Sequence, residues 1–539
     1  MVAPRLIALI PTVLLGILTN YLALPAMNLQ SYGLLWFIFS FLVIYLFFAS
    51  LFTIIADEEL SIFEIGIGIV AAVFFVFILA ASFFSSKLIN WKQYQSMIEI
   101  EESDETAFAN DVASATHLEN LAVVDVGTAQ NIGDRTLANI ANPSWYSVNS
   151  EYNLILYHGN QYRISPINYG GFFEYLNASS TGLPGYVLVD AVTQEAKLVT
   201  LEEPVRYSPS AFFEYDLKRH LRNQYPSAMF GKSFFEIDEE GNPFWITSIK
   251  NPHIGLLGGM KEDSFVITNA CTGESEKYVV ENLPEWVDHA FDRDYLMNLV
   301  ENHYSLANGY FNFSNNNKNH TSFAYASHGF AGYNTTLSKD GIVFYTGITP
   351  ANSSESNIGF VLVSPRTGKA KFYSCVGAEE SSAQSAVEGL VSDLKYTATF
   401  PTVINIAGKP TYFMTLKDGA SLIQRYALCN VSNYSIAVQA PTVEEALSLY
   451  LERLGVTSIV EEAPESETLS TSGTIAFLSQ VSIDGTTYYC LQLDGDSNLY
   501  MSSIKLNPRQ VFMTVADTVS IDYQATENET VFLVTHIEL

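Results

Sequence analysis

Three groups of residues in this chain have the types and spacing that chemistry needs. Asp288 and His289, with Asp292 and Asp294, form the densest meeting of acids with a histidine. On a helix Asp288 and Asp292 would share a face, so carboxylate and imidazole ligands for a metal are one reading. Acids at a helix start also complement its dipole, and an exposed helical face is the reading favoured here. The run Asp494-Gly495-Asp496-Ser497-Asn498 resembles the opening of a calcium loop, in which a hard cation takes alternating oxygen ligands. Leu499 and Lys505 stand where such a loop needs glycine and glutamate, so a polar hairpin turn is expected instead. His303, His320 and His328 flank an Asn-rich run over 311–323, with gaps that match no standard zinc site; a surface loop is expected.

Other candidates are structural as readily as chemical. Gly255-Leu256-Leu257-Gly258-Gly259 reads as a flexible lid over a ligand or, preferably, as a plain turn between strands. Cys271, Cys375, Cys429 and Cys490 have no C-x-x-C spacing, and two disulfides or four buried thiols both remain open. Asn-x-Ser/Thr sites, among them Asn177, Asn334 and Asn430, matter only in a host that glycosylates. No H-E-x-x-H, G-x-S-x-G, P-loop or dinucleotide fingerprint occurs. The expectation is therefore a non-enzymatic chain with no catalytic residue and no cofactor. Asp288, His289, Asp292, Asp494 and Asp496 are the only metal candidates.

The elements that must position these residues begin with a membrane anchor. Residues 6–27 and 33–55 carry no charge, and 62–84 carry only Glu64. At about 1.5 Å per residue, roughly 20 apolar residues cross a bilayer core, so three transmembrane helices are expected. Two further spans follow the first closely, which makes it a retained anchor rather than a signal peptide. Asn20 lies inside the first span and would seek a hydrogen bond within the bundle. Gly66 and Gly68, with Ala71 and Ala72, offer a smooth face for close helix packing. Arg5 on one side against Lys87 and Lys92 on the other leans toward a cytoplasmic body. The body is nevertheless poor in Lys and rich in Asn, Ser, Thr and Tyr, as in exported proteins, and the extracellular face is expected.

The whole chain of 539 residues has 27 basic and 57 acidic side chains, a net charge of −30. Binding nucleic acid is disfavoured, because neutralising phosphates takes clustered Lys and Arg. The expected layout is an anchor over 1–90, a stalk over 91–145, two α+β halves over 146–305 and 306–460, and an acidic linker with a barrel over 461–539.

Internal repetition supports the two halves. GYVLVDAVTQEAKLV (185–199) and GFVLVSPRTGKAKFY (359–373) share seven of fifteen residues at an offset of 174. IDEEGNPFWI (237–246) matches INIAGKPTYF (404–413) at an offset of 167, with Gly241 and Pro243 opposite Gly408 and Pro410. Each segment reads as a hairpin with a Gly-type turn. Helices are expected over 209–223, 284–301, 379–395 and 441–454, three of them starting at or beside a proline. Two modules of about four strands and one helix per half would give α+β layers. After 473, short alternating strands such as TTYYCLQL and VSIDY suggest a small closed OB-like barrel. With Lys505 and Arg509 among many acids it suits protein contact better than phosphate.

The units VLVDAVTQEAKLV, FVITNACTGESEKYV and VLVSPRTGKAKFY resemble PepSY-type modules, small α+β units of bacterial envelope proteins. Residues 359–440 are similar to largely uncharacterised multi-pass membrane proteins of Gram-positive bacteria, some labelled colicin V production-like. The resemblance implies an anchored body in the bacterial envelope and assigns no catalytic residue. The expected function is a membrane-anchored assembly or scaffold protein, homo-oligomeric or bound to other envelope proteins. The alternative is an envelope hydrolase or protease regulator that uses the modules as an inhibitory or substrate-binding platform.

Overall fold

Apolar runs almost free of charge form three long helices, α1 (Ala3–Ala23), α2 (Tyr32–Ile55) and α3 (Ile62–Phe84). Each is long and apolar enough to cross a membrane. α2 packs against both neighbours. The close approach falls at Gly16 of α1, where a Cβ would lie 2.8 Å from the Phe41 ring. Gly66 and Gly68 face open space instead, so within the chain they do not make the helix contact expected of them. Asn20 is half-buried, and its carbonyl accepts the Leu24 N–H at 3.0 Å, closing the last turn.

The computed structural model describes residues 3–57, 62–112, 121–312, 321–323, 334–350, 356–455, 469–483, 486–496, 498–504, 506–525 and 531–538. The chain divides into two units, Met1–Gly455 and Val456–Leu539.

Past α3, helix α4 (Lys87–Gln95) leads to β1 (Ile100–Asp104), α5 (Glu105–Asp111) and α6 (Val126–Gly133). The expected stalk is not free-standing. β1 pairs in parallel with residues 370–374, and Phe108, Val123 and Val124 are buried. Their apolar side chains belong to the core, which draws the segment into the body.

Four sheets follow, antiparallel among the described residues except where β1 pairs with residues 370–374. The first comprises β2 (Tyr146–Val148), β3 (Asn153–Tyr157), β4 (Asn160–Tyr169), β5 (Leu183–Asp190) and β6 (Ala196–Val205), with α7 (Phe172–Ala178) between β4 and β5. After α8 (Leu217–Gln224), the second runs β7 (Phe230–Ile237), β8 (Pro243–Ile254), β9 (Gly258–Asn269) and β10 (Ser275–Val279) in simple succession. After α9 (Arg293–Ser305), the third joins β1 to β11 (Thr321–Phe323), β12 (Asn334–Ser338), β13 (Gly341–Pro350), β14 (Ser356–Val363) and β15 (Ala370–Ala378). After α10 (Glu380–Gly389), the fourth holds β16 (Thr397–Ala398), β17 (Thr402–Ile406), β18 (Lys409–Lys417), β19 (Ile423–Asn430) and β20 (Ala437–Ala440). Helix α11 (Val443–Leu454) ends the unit.

Helix starts follow capping side chains rather than prolines. Asp216 accepts the Arg219 N–H at the start of α8, Asp292 that of Asp294 at α9, and Thr442 that of Glu445 at α11. An acceptor satisfies an orphan N–H, which a proline merely omits. Pro209 and Pro284 therefore lie well before the first helical turn.

Both faces of the sheets are buried, and successive residues feed different cores. Sheets one and two share Leu188, Phe235 and Trp245 with Leu217 and Leu221 of α8. Sheets two and three share Ile246, Phe265, Phe344 and Val361 with Leu296 and Val300 of α9. Sheets three and four share Tyr345, Phe360, Tyr412 and Met414 with Val387 of α10. Sheets four and one share Phe413, Leu428, Val187 and Val189 with Tyr450 of α11. The four cores close a ring. At each junction an incoming linker is pinned to the next sheet. Val123 and Val124 donate their N–H groups to the Ala191 carbonyl, Arg206 and Tyr207 to Ala270, Ala290 and Phe291 to Pro365, and Ala378 to Val431, all at 2.8–3.1 Å.

The second unit is a closed five-stranded barrel of β21 (Leu469–Ile483), β22 (Thr486–Leu493), β23 (Leu499–Ser503), β24 (Thr518–Ala525) and β25 (Val531–Glu538), in the order β21-β22-β23-β25-β24. β23 and β25 run parallel, and Tyr489, Leu491, Tyr500 and Ile521 fill the interior. Residues 508–512 form a 3-10 turn that Asn507 caps.

Candidate functional site

The Asp288-His289 segment is a loop, not a helix, and it threads between sheets two and three. Glu236 of β7, fully buried, accepts the N–H groups of Asp288 at 2.8 Å and His289 at 2.7 Å, and its Oε1 lies 2.9 Å from His289 Nδ1. Asp288 accepts the Leu156 N–H of β3 at 2.6 Å. Arg366, from the turn after β14, donates to the carbonyls of Leu283, Pro284, Glu285 and Val287. Phe234 and Phe344 flank the imidazole. Burial and the Glu236 carboxylate push the Asp288 carboxyl up to about 7. A carboxyl here can hold a proton near neutrality, yet it is taken up by the Leu156 backbone, and the ring by Glu236 and two phenylalanines.

Asp292 does not join this group. It caps α9, and its own N–H goes to Glu262, which pairs with Lys250 at 3.2 Å. Asp288 and Asp292 therefore serve different partners, because the chain between them is extended and lacks the turn that would align them. Among the described residues no group of three His, Cys, Asp or Glu side chains is placed to hold a metal.

Asp494 and Asp496 lie in the turn between β22 and β23. Asp496 accepts the Asn498 N–H at 2.9 Å and the Tyr500 hydroxyl at 2.6 Å, and Gly495 takes a φ of +79°. His303 lies on α9; His320 and His328 fall outside the described residues. Gly241 and Gly408 both have the left-handed φ their turns require, +82° and +76°. The Pro243 and Pro410 carbonyls accept Ala270 and Val431 N–H groups, so the two turns feed equivalent bonds. All four cysteines are free thiols. Asn334 and Asn430 point inward, to Phe400 and Thr402 and to Tyr450.

Sequence reasoning missed a second buried acid. Glu380 of α10 bonds the Tyr345 hydroxyl and the Asn357 amide, and that amide also reaches the Tyr412 hydroxyl at 3.0 Å. Gly347 makes room for it, since a Cβ there would lie 2.2 Å from Glu380 Oε1. Burial raises the Glu380 carboxyl. A lone acid within an apolar strand, as Glu236 is in Phe234-Phe235-Glu236-Ile237, was the available signal for its counterpart in β7.

The Gly255–Gly259 run is the turn between β8 and β9, as expected, and it has a further role. It is the seat of the body on its anchor. Leu257 is 2% exposed and packs with Leu35 of α2 and Ile78 of α3. The Leu257 N–H donates to Ser85 Oγ at 3.1 Å; the Tyr94 hydroxyl accepts the Gly259 N–H at 2.9 Å and donates to the Ser85 carbonyl at 2.7 Å. A Cβ at residue 258 would stand 2.2 Å from that carbonyl, so glycine is required. A second contact holds α1. Arg219 donates to the Tyr21 carbonyl at 3.0 Å and stacks 3.9 Å over its ring, and Arg222 donates to Leu24 at 3.1 Å. Cations at the carbonyl end of α1 oppose its dipole. The Met27 N–H completes the contact on the Pro226 carbonyl at 2.8 Å.

No protein-family model matches this chain, and no curated protein matches it.

Proposed function

We propose that this chain is a membrane-anchored, non-enzymatic assembly protein of the bacterial envelope, which presents a ring of repeated α+β modules and a barrel to other proteins or to further copies of itself. The observation that carries this reading is the seat. A body bolted to its anchor at two separate points, the Leu257 tip and the α8–α1 contact, holds its outer surface at a fixed height and angle. The densest acid–histidine group faces inward and is taken up by the Leu156 N–H and the Glu236 carboxylate, which suits a load-carrying interior.

We read the ring as a duplication of PepSY-like pairs. The pinning bonds support this: residue 290 follows 123 by 167, and 365 follows 191 by 174, the two offsets of the matching segments. The barrel's strand order, with its third and fifth strands parallel, favours an OB-like relationship. The Lys-poor composition supports an extracellular body.

Light scattering on the full chain in detergent tests the function; oligomers or a co-purifying protein are expected, and a strict monomer that binds nothing would count against it. Protease added to intact cells should digest the body. If only opened vesicles permit digestion, the body is cytosolic and the chain becomes an adaptor on the inner face.

A further inference from the structure

The exposed side of α7 carries three large apolar residues beside Glu174 and Asn177. Phe173 is 73% exposed, with Phe172 and Leu176 exposed beside it. Phe212 and Phe213, just before α8, extend the same patch: the Phe172 ring lies 5.1 Å from Phe212 and 6.1 Å from Phe213. The Tyr175 hydroxyl donates to the Phe212 carbonyl at 2.9 Å and ties the two pieces together. Phe213 also holds a φ of +57°, a left-handed conformation that an aromatic residue rarely adopts. The ring it positions packs on one side against Phe172 and Tyr175 and leaves the other side open, 48% exposed.

Two features of the fold say what covers the patch. It leads directly into α8, whose Arg219 and Arg222 hold the carbonyls that end α1, so it lies beside the point where the first span leaves the bilayer. The connections also correspond. β4 and β8 are the second long strands of neighbouring sheets; the connection after β8 carries Leu257 in among the spans, and the connection after β4 carries α7. Exposed Lys218 lies 3.5 Å from the Ala23 carbonyl at the end of α1, with exposed Glu214 beside Phe213, and Tyr21 and Tyr32 mark the level of the membrane interface on α1 and α2.

We propose that Phe172, Phe173, Leu176, Phe212 and Phe213 dip into the headgroup–acyl boundary of the bilayer that the three spans cross. The first sheet then rests on lipid while the second rests on the helix bundle. Apolar rings at the membrane surface gain burial that water denies them.

A spin label on the F173C variant, with C271S and C490S removing the less buried native thiols, tests this on the full chain in phosphatidylcholine–phosphatidylglycerol liposomes. Oxygen, which concentrates in lipid, should relax the label strongly, and a water-soluble nickel chelate should not, as for a label at lipid-facing Ile69. Strong relaxation by nickel, as expected for a label at Glu239 in the β7–β8 turn, would overturn the proposal. So would shielding from both reagents, the signature of a second protein copy on the patch. Should F173C fail to fold, the F213W variant serves instead. Brominated lipid should quench most of the fluorescence that it adds over the wild type, and no added quenching would refute lipid contact.

Discussion

Glu236 gathers three N–H groups onto one buried carboxylate and holds residues 288 and 289 on their path, beside the Pro365 carbonyl that holds 290 and 291. The E236Q variant keeps the shape but turns an amide toward donors, so it should lose about 3–5 kcal/mol, read as a lower urea midpoint. An unchanged midpoint would show that the loop is held elsewhere. Asp288 makes the same site sensitive to pH. Its folded value, about 7, lies above its ordinary 3.8, because burial and Glu236 disfavour its charge while Leu156, His289 and Arg366 favour it. The folded state keeps a proton that the unfolded chain releases. This contribution is complete below pH of about 4 and is lost as pH rises through about 7. D288N should flatten the fall in stability across that window; a wild-type slope in the variant would place the titration elsewhere. The thiols give a further check. Alkylation of the unfolded chain without reductant should add four groups, because all four cysteines are free, whereas two or none would mean disulfides.

At the scale of elements, the hairpin tip decides how body meets anchor. G258A would drive a methyl into the Ser85 carbonyl, and Y94F would remove one hydroxyl that serves two partners. Each should cost about 1–3 kcal/mol, measured as a lower thermal midpoint in detergent. Wild-type midpoints in both would mean that the tip is not seated. The three spans were readable because a charge-free run of bilayer length is a local property. Strands and Gly turns such as those at Gly241 and Gly408 were readable for the same reason, by alternation and turn chemistry. The role of Leu257 was not, since Leu35 and Ile78 lie far away in the chain and no spacing rule links them. Asp292 misled for a related reason: an acid near a helix start reads alike as a ligand, a dipole partner or a cap, and its position relative to the first turn decides.

At the scale of the molecule, two-sided burial explains why strands such as YVLV and FVLV read as unbroken apolar runs: each feeds two cores of a closed ring. Repetition in the sequence hinted at paired modules, but not at ring closure, which rests on Tyr450 and Phe413 meeting Val187 and Val189. The central claim is that this ring and its three helices form one fixed platform, without which presentation to partners at a set height has no meaning. Electron–electron distances test it most directly, with spin labels on I65C in α3 and E239C in the β7–β8 turn, in the full chain in lipid. A single narrow distance distribution is expected; a broad or many-peaked one would contradict the account.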